Sequence, residues 1–154
     1  MLHATAVAID GNGVLISGPS GSGKSDLALR LIDRGAKLVS DDAVAVFIDQ
    51  DMPVLSAAPN IETLLEIRGI GIQTVPFIVS APLRLVVELT EKIDRMPARH
   101  TDSVIAGFNV PSTNLAPFET SAAIKLEYAL RSVVDADRWP MARSEIATPE
   151  SNKI

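Results

Sequence analysis

The stretch Gly18-Pro19-Ser20-Gly21-Ser22-Gly23-Lys24-Ser25 is where residue type and spacing speak most directly of chemistry. It satisfies G-x-x-x-x-G-K-[ST] at every position. The glycines let backbone N–H groups turn inward around phosphate oxygens with no Cβ in the way. Lys24 can bring a point charge to the β- and γ-phosphates of a nucleotide, and the Ser25 hydroxyl is of the type that ligates magnesium. A helix starting here would aim its N-terminal dipole at the anion. A flexible Gly/Ser loop could match the pattern by chance. The context argues otherwise, because an apolar strand precedes the motif and an amphipathic helix follows it. All eight residues are therefore phosphate- or nucleotide-binding candidates.

A phosphate loop does not define a reaction, and further side chains are needed to narrow it. Asp41 and Asp42 end a strand one helical crossover after the loop. Adjacent side chains on an extended segment point to opposite sides. One carboxylate can then face the phosphates, where it could accept the proton of an attacking hydroxyl, while the other faces magnesium or water. A solvated turn would also use Asp. The segment Leu65-Glu66-Ile67-Arg68-Gly69-Ile70-Gly71-Ile72 sets a Glu and an Arg among apolar residues and paired glycines. It reads equally as a carboxylate near a bound ion and as an ion pair on a strand edge. Glu88, within Val86-Val87-Glu88-Leu89, is a rival magnesium-site carboxylate or a solvent-facing strand residue. His3 and Arg95 carry little information unaided, and Arg99 and His100 read as surface charge.

These groups need a frame. Residues 3–10 and 14–17 read as strands around the Gly11-Asn12-Gly13 turn, giving an opening hairpin. Residues 24–34 read as a helix with Leu27, Ala28, Leu31 and Ile32 on one face and Gly35 at its C-terminal cap. Strands are expected at 37–40, 43–48, 83–89 and 104–110. The chain turns at 49–53, and 54–61 is ambiguous. One helical turn could occupy 62–67, and loops cover 90–102 and 111–117. The longest helix spans 118–136, with Ala122, Leu126, Ala129, Leu130 and Val133 on one face. One domain (1–136) and a disordered tail (137–154) follow from the polar, proline-containing C-terminus.

Composition agrees with a packed single domain. Of the 154 residues, 47% are hydrophobic and 21% charged, enough apolar surface for a core. Only 4% are aromatic, so that core is built from aliphatic side chains, which suits a buried sheet. The net charge of −5 comes with no basic face, which argues against a nucleic-acid partner. The absence of cysteine excludes disulfides, thiolate metal sites and cysteine nucleophiles. The N-terminus lacks the basic region of a signal peptide, and no uncharged apolar stretch approaches the roughly 18 residues of a spanning helix. The expected location is cytoplasmic, away from any membrane.

Taken together, three blocks resemble the bifunctional HPr kinase/phosphorylases: residues 3–44, 57–72, and 85–97 with their LVVEL and DRMP sequences. They cover about two-thirds of the chain. The resemblance implies a phosphoenolpyruvate-carboxykinase-like P-loop fold, an α/β domain with a mixed β-sheet and flanking helices. It also implies an ATP- and Mg2+-dependent serine kinase acting on HPr, the phosphocarrier protein of the phosphotransferase system. In this family phosphorolysis reverses the reaction and releases pyrophosphate. Position by position, Asp42 matches the family's base, Lys24 its phosphate-holding lysine, and Ser25 and Glu66 its magnesium ligands. His3 and Arg95 match an active-site histidine and arginine, and residues 66–73 a stretch needed in both directions.

The chain looks like a short form lacking the family's N-terminal domain. The family's basic, glycine-containing loop after its Val-Pro dipeptide is replaced here by Ser112-Thr113-Asn114-Leu115-Ala116-Pro117. A segment without a cation binds a phosphoprotein or free phosphate less well. The family forms hexamers, so a homo-oligomer is expected. Two other readings of the same core are a small-molecule phosphotransferase, which would need an enclosed pocket beside the loop, and a nucleotide-sensing regulator without transfer.

Overall fold

The structure, a computed structural model, describes residues 1–59, 63–92 and 101–145. The chain opens with the expected hairpin of β1 (Thr5–Ile9) and β2 (Asn12–Ser17), and α1 (Lys24–Asp33) follows β2 across the glycine-rich loop. Next come β3 (Lys37–Ser40), the hairpin β4 (Val44–Asp49) and β5 (Met52–Ala57), and a small hairpin of β6 (Leu65–Ile67) and β7 (Gly71–Gln73). The long β8 (Ser80–Leu89), β9 (Thr101–Ile105), β10 (Phe108–Leu115), α2 (Ala122–Asp135) and the short β11 (Met141–Ala142) complete it.

The main sheet runs β11-β10-β8-β2-β1-β3. The contacts β2·β8 and β8·β10 are parallel and the other pairings antiparallel, so the sheet is mixed. Alternation along the central strands divides the core. Val14, Ile16, Leu85 and Val87 face α1 and α2, where they meet Leu27, Leu31 and Leu126. Leu15, Leu83 and Val86 face the other way, toward Val44, Leu55 and Phe108. Each fully buried leucine contributes about 1.5–3 kcal/mol of transfer free energy. The phosphate loop is thereby anchored between a buried central strand and a helix whose inner face is buried.

Several elements differ from the sequence expectation for physical reasons. The first turn falls on Asp10 and Gly11, both at positive φ, and Gly13 lies inside β2. A Cβ on Gly13 would sit 2.6 Å from the Pro82 carbonyl oxygen, so close strand approach, not turning, requires glycine there. Met52 and Pro53 open β5, closing the ambiguity over residues 54–57. Instead of a helical turn, residues 65–67 form a strand: Leu65 is buried, Glu66 exposed, and Glu66 pairs with Ile72. The expected strand over 104–110 is two strands, turned at Ala106-Gly107 with both residues at positive φ. Residues 112–115, expected as loop, extend β10 alongside Val86 to Leu89, because β8 offers an open parallel edge. Residues 118–121 precede α2 and do not belong to it.

The C-terminal segment through residue 145 is folded, where a disordered tail was expected. Met141-Ala142 pair with β10, and the Trp139 ring lies 3.5 Å from the guanidinium carbon of Arg84. Arg84 is buried and donates to Asn12 Oδ1 (3.0 Å) and to the Arg138 carbonyl (3.2 Å). Burial pulls its pKa down from the ordinary value, opposed by the charge of Asp137. No helix is long and apolar enough to cross a membrane among the described residues.

Candidate active site

The loop between β2 and α1 has the geometry of a phosphate cradle. Gly23 adopts φ 98° immediately before α1, and a Cβ there would approach the Phe118 ring to 3.1 Å. The first helical turn leaves its N–H groups facing the loop without intrahelical partners. Lys24 is 7% exposed, and its ammonium donates to the carbonyls of Gly18 (2.9 Å) and Pro19 (3.0 Å). A largely buried cation held only by neutral carbonyls favours an incoming anion. Ser22 Oγ is buried with no hydrogen-bond partner. The unpaired hydroxyl and the carbonyl-bound ammonium fit a polyphosphate. Around them lies a cavity of about 590 Å³, bordered by Ser20, Gly21, Gly23, Ser25, Asp41, Asp42 and Glu66, with Leu29 and Phe118 as apolar walls.

Asp41 and Asp42 part company at the end of β3. Asp41 Oδ1 accepts hydrogen bonds from Ser25 Oγ at 2.7 Å and from Thr5 Oγ1 at 2.9 Å, and its Oδ2 lies 3.4 Å from the Glu66 backbone N–H. Asp42 sits at φ 67°, which swings its carboxylate into the open. There its Oδ1 is 3.4 Å from His3 Nδ1, and His3 Nε2 is 3.4 Å from Ser20 Oγ. The side chains of His3 and Asp42 are 61% and 70% exposed. One carboxylate is thus fixed against the Ser25 hydroxyl, and its neighbour stands free at the mouth.

Lys24, Ser25, Asp42 and Glu66 border one cavity with the loop residues Ser20, Gly21 and Gly23. His3 joins it through Asp42 and Ser20, Gly18 and Pro19 through the Lys24 ammonium, and Ser22 lies with Pro19 on the neighbouring cavity. Glu66 reaches the cavity from β6, its side chain exposed. Arg95 lies outside the described residues, as do Arg99 and His100. Glu88, next to last in β8, lies abreast of Ser17 with Oε1 3.5 Å from Ser103 Oγ, and is not among the residues bordering the cavity. The position of Asp41 at the strand end signalled a carboxylate facing the phosphates or magnesium, without deciding between them. Thr5 and Phe118 carried no signal.

No group of three or more His, Cys, Asp or Glu side chains stands close enough to cage a metal among the described residues. The oxygen donors Ser25, Asp41 and Glu66 nevertheless suit magnesium, which binds through one or two carboxylates and completes its shell with phosphates and water.

The model of the HPr serine kinase C-terminal domain matches residues 1–134. The chain belongs to this family. It is 38% identical over 143 residues to an HPr kinase/phosphorylase of Limosilactobacillus reuteri (strain DSM 20016), covering 83% of this chain and 44% of that protein. Identity is also 38% to an HPr kinase/phosphorylase of Enterococcus faecalis, at 83% and 46% coverage. The chain therefore spans less than half the length of these curated relatives. The solved structure of the HPr(Ser) kinase/phosphatase from Coxiella burnetii superposes with a TM-score of 0.76 at 29% identity, over 88% of this chain and 97% of that one. The fold of this HPr kinase family member is accordingly the phosphoenolpyruvate-carboxykinase-like P-loop type, with the mixed sheet described above.

Proposed function

We propose that this chain is the catalytic domain of an ATP- and Mg2+-dependent protein kinase that transfers the γ-phosphoryl group to a serine of HPr. The observation that carries the reading is the division of labour at the end of β3, with Asp41 bound to Ser25 and Asp42 free beside His3. Ser25, Asp41 and Glu66 would hold magnesium, which supplies charge neutralisation along the phosphates. Lys24 and the loop amides orient the β- and γ-phosphates and stabilise charge on the transferring group. Asp42 accepts the proton of the serine hydroxyl as its oxygen attacks phosphorus and the bond to the β-phosphate oxygen breaks, leaving ADP. His3 positions the Asp42 carboxylate, and Arg95 is assigned to the same site by resemblance.

The exposure of Asp42 and His3 supports a protein acceptor over a metabolite, since a small substrate calls for enclosure. A cytoplasmic homo-oligomer remains part of this reading. In the reverse direction, phosphate would attack the phosphoserine and yield pyrophosphate. No arginine or lysine occurs in residues 112–121, so that direction is expected to be the weaker.

The test is intact-mass analysis of HPr incubated with the chain, magnesium and ATP, beside Asp42→Asn. Gain of one phosphoryl group, lost in the variant, supports the kinase. A second arm, with phosphate and phospho-HPr, reads pyrophosphate. ATP binding with no gain of mass in HPr overturns this substrate. ATP binding unchanged in Asp42→Asn, with no phosphoprotein from either form, turns the reading to a sensor.

A further inference from the structure

Phe118 is an unusual wall for a phosphate site. Its side chain is large and apolar, yet the residue is 69% exposed. It stands on the segment between β10 and α2, and its ring edge lies over the last glycine of the phosphate loop. The segment is held there by α1: Arg30 donates to the carbonyls of Pro117 and Glu119, the latter at 3.3 Å, and pairs with Asp26 at 3.1 Å. Phe118 also borders a second cavity of about 580 Å³ with Pro19, Ser22, Leu89 and Pro117. An aromatic face is therefore kept in water, at a fixed place, beside the cradle.

We propose that Phe118 is the platform on which the base of the bound nucleotide stacks. The proposal rests on the nucleotide reading of the loop. The proton-accepting end of the site is Asp42 on the β3 side, so the terminal phosphate belongs there. The base then falls on the α1 side of the same cavity, where Leu29 and Phe118 supply apolar surface. Every base offers a π-face, so stacking adds affinity with little regard to the base edge. Phe118 accordingly strengthens binding of adenine and guanine nucleotides alike, and contributes nothing to a ligand without a base.

Calorimetric titration with ATP, GTP and inorganic tripolyphosphate, each with magnesium, separates these contributions. Phe118→Ala is expected to weaken ATP and GTP by about tenfold each, leaving tripolyphosphate binding unchanged, and Phe118→Tyr to restore both. Unaltered ATP affinity in Phe118→Ala overturns the platform. So does an equal loss for tripolyphosphate, which would mean that the ring only props the loop. If the wild type binds tripolyphosphate but not ATP more tightly, the cradle stands and the platform falls. If it binds neither, the cradle itself fails and the platform with it.

Discussion

The phosphate cradle and the β6–β7 hairpin border the same cavity but are built in opposite ways. On the cradle side, β2, α1 and β3 contribute Ile16, Leu27, Leu31 and Leu38 to the core, and Lys24, Ser25 and Asp41 are tied by hydrogen bonds of 3.0 Å or less. On the hairpin side only Leu65 is buried, while Ile70 and Ile72 are 70% and 68% exposed. On the proposed reading the cradle is the donor half of the site, held in place by its own core and hydrogen bonds. The hairpin, with Asp42 and His3 open beside it, would be the acceptor half, a surface for a second protein to cover.

Removing charge from the cradle should have the largest effect. Lys24→Ala is expected to lower phosphoryl transfer by about 10³-fold and to weaken nucleotide binding, with the unfolding midpoint near that of the wild type. Transfer assays beside thermal unfolding check both parts. Asp41→Asn should lower transfer by about 10²-fold and raise the magnesium concentration needed for half-maximal rate. An unchanged magnesium dependence would remove Asp41 from the metal site.

The hairpin separates stability from substrate use. Leu65→Ala should cost about 2–5 kcal/mol of stability in denaturant unfolding. Ile72→Ser should stay within about 0.5 kcal/mol, yet raise KM for HPr with ATP affinity unchanged. If KM for HPr is untouched in Ile72→Ser, the hairpin is not an acceptor surface. The smallest expected effect on transfer is remote from both regions. Arg84→Met leaves Asn12 Oδ1 and the Arg138 carbonyl without their partner, and should cost about 1–3 kcal/mol with transfer preserved at low temperature.

What the sequence made legible was local. The glycine-rich loop, α1, β3 and β8 each carry their own periodicity and punctuation. The positions that misled depend on partners far along the chain. Residues 137–145 look like a polar tail because their anchor is Arg84 on β8, and residues 112–115 look like loop because β8 supplies the pairing edge. Ala106-Gly107 hides a hairpin inside an apolar run. At the site, strand alternation predicted that Asp41 and Asp42 point apart, but both lie beyond the end of β3, and their placement comes from the left-handed turn at Asp42 and from Thr5 reaching across from β1. No spacing rule encodes either.

The most direct measurement is single-turnover transfer from saturating MgATP to HPr by Asp42→Asn, with ATP affinity measured on the same protein. Asp42→Asn is expected to bind ATP within about twofold of the wild type and to transfer about 10²- to 10⁴-fold more slowly. Transfer at the wild-type rate, or a loss accounted for by weakened ATP binding, would contradict the assignment of Asp42 as the base.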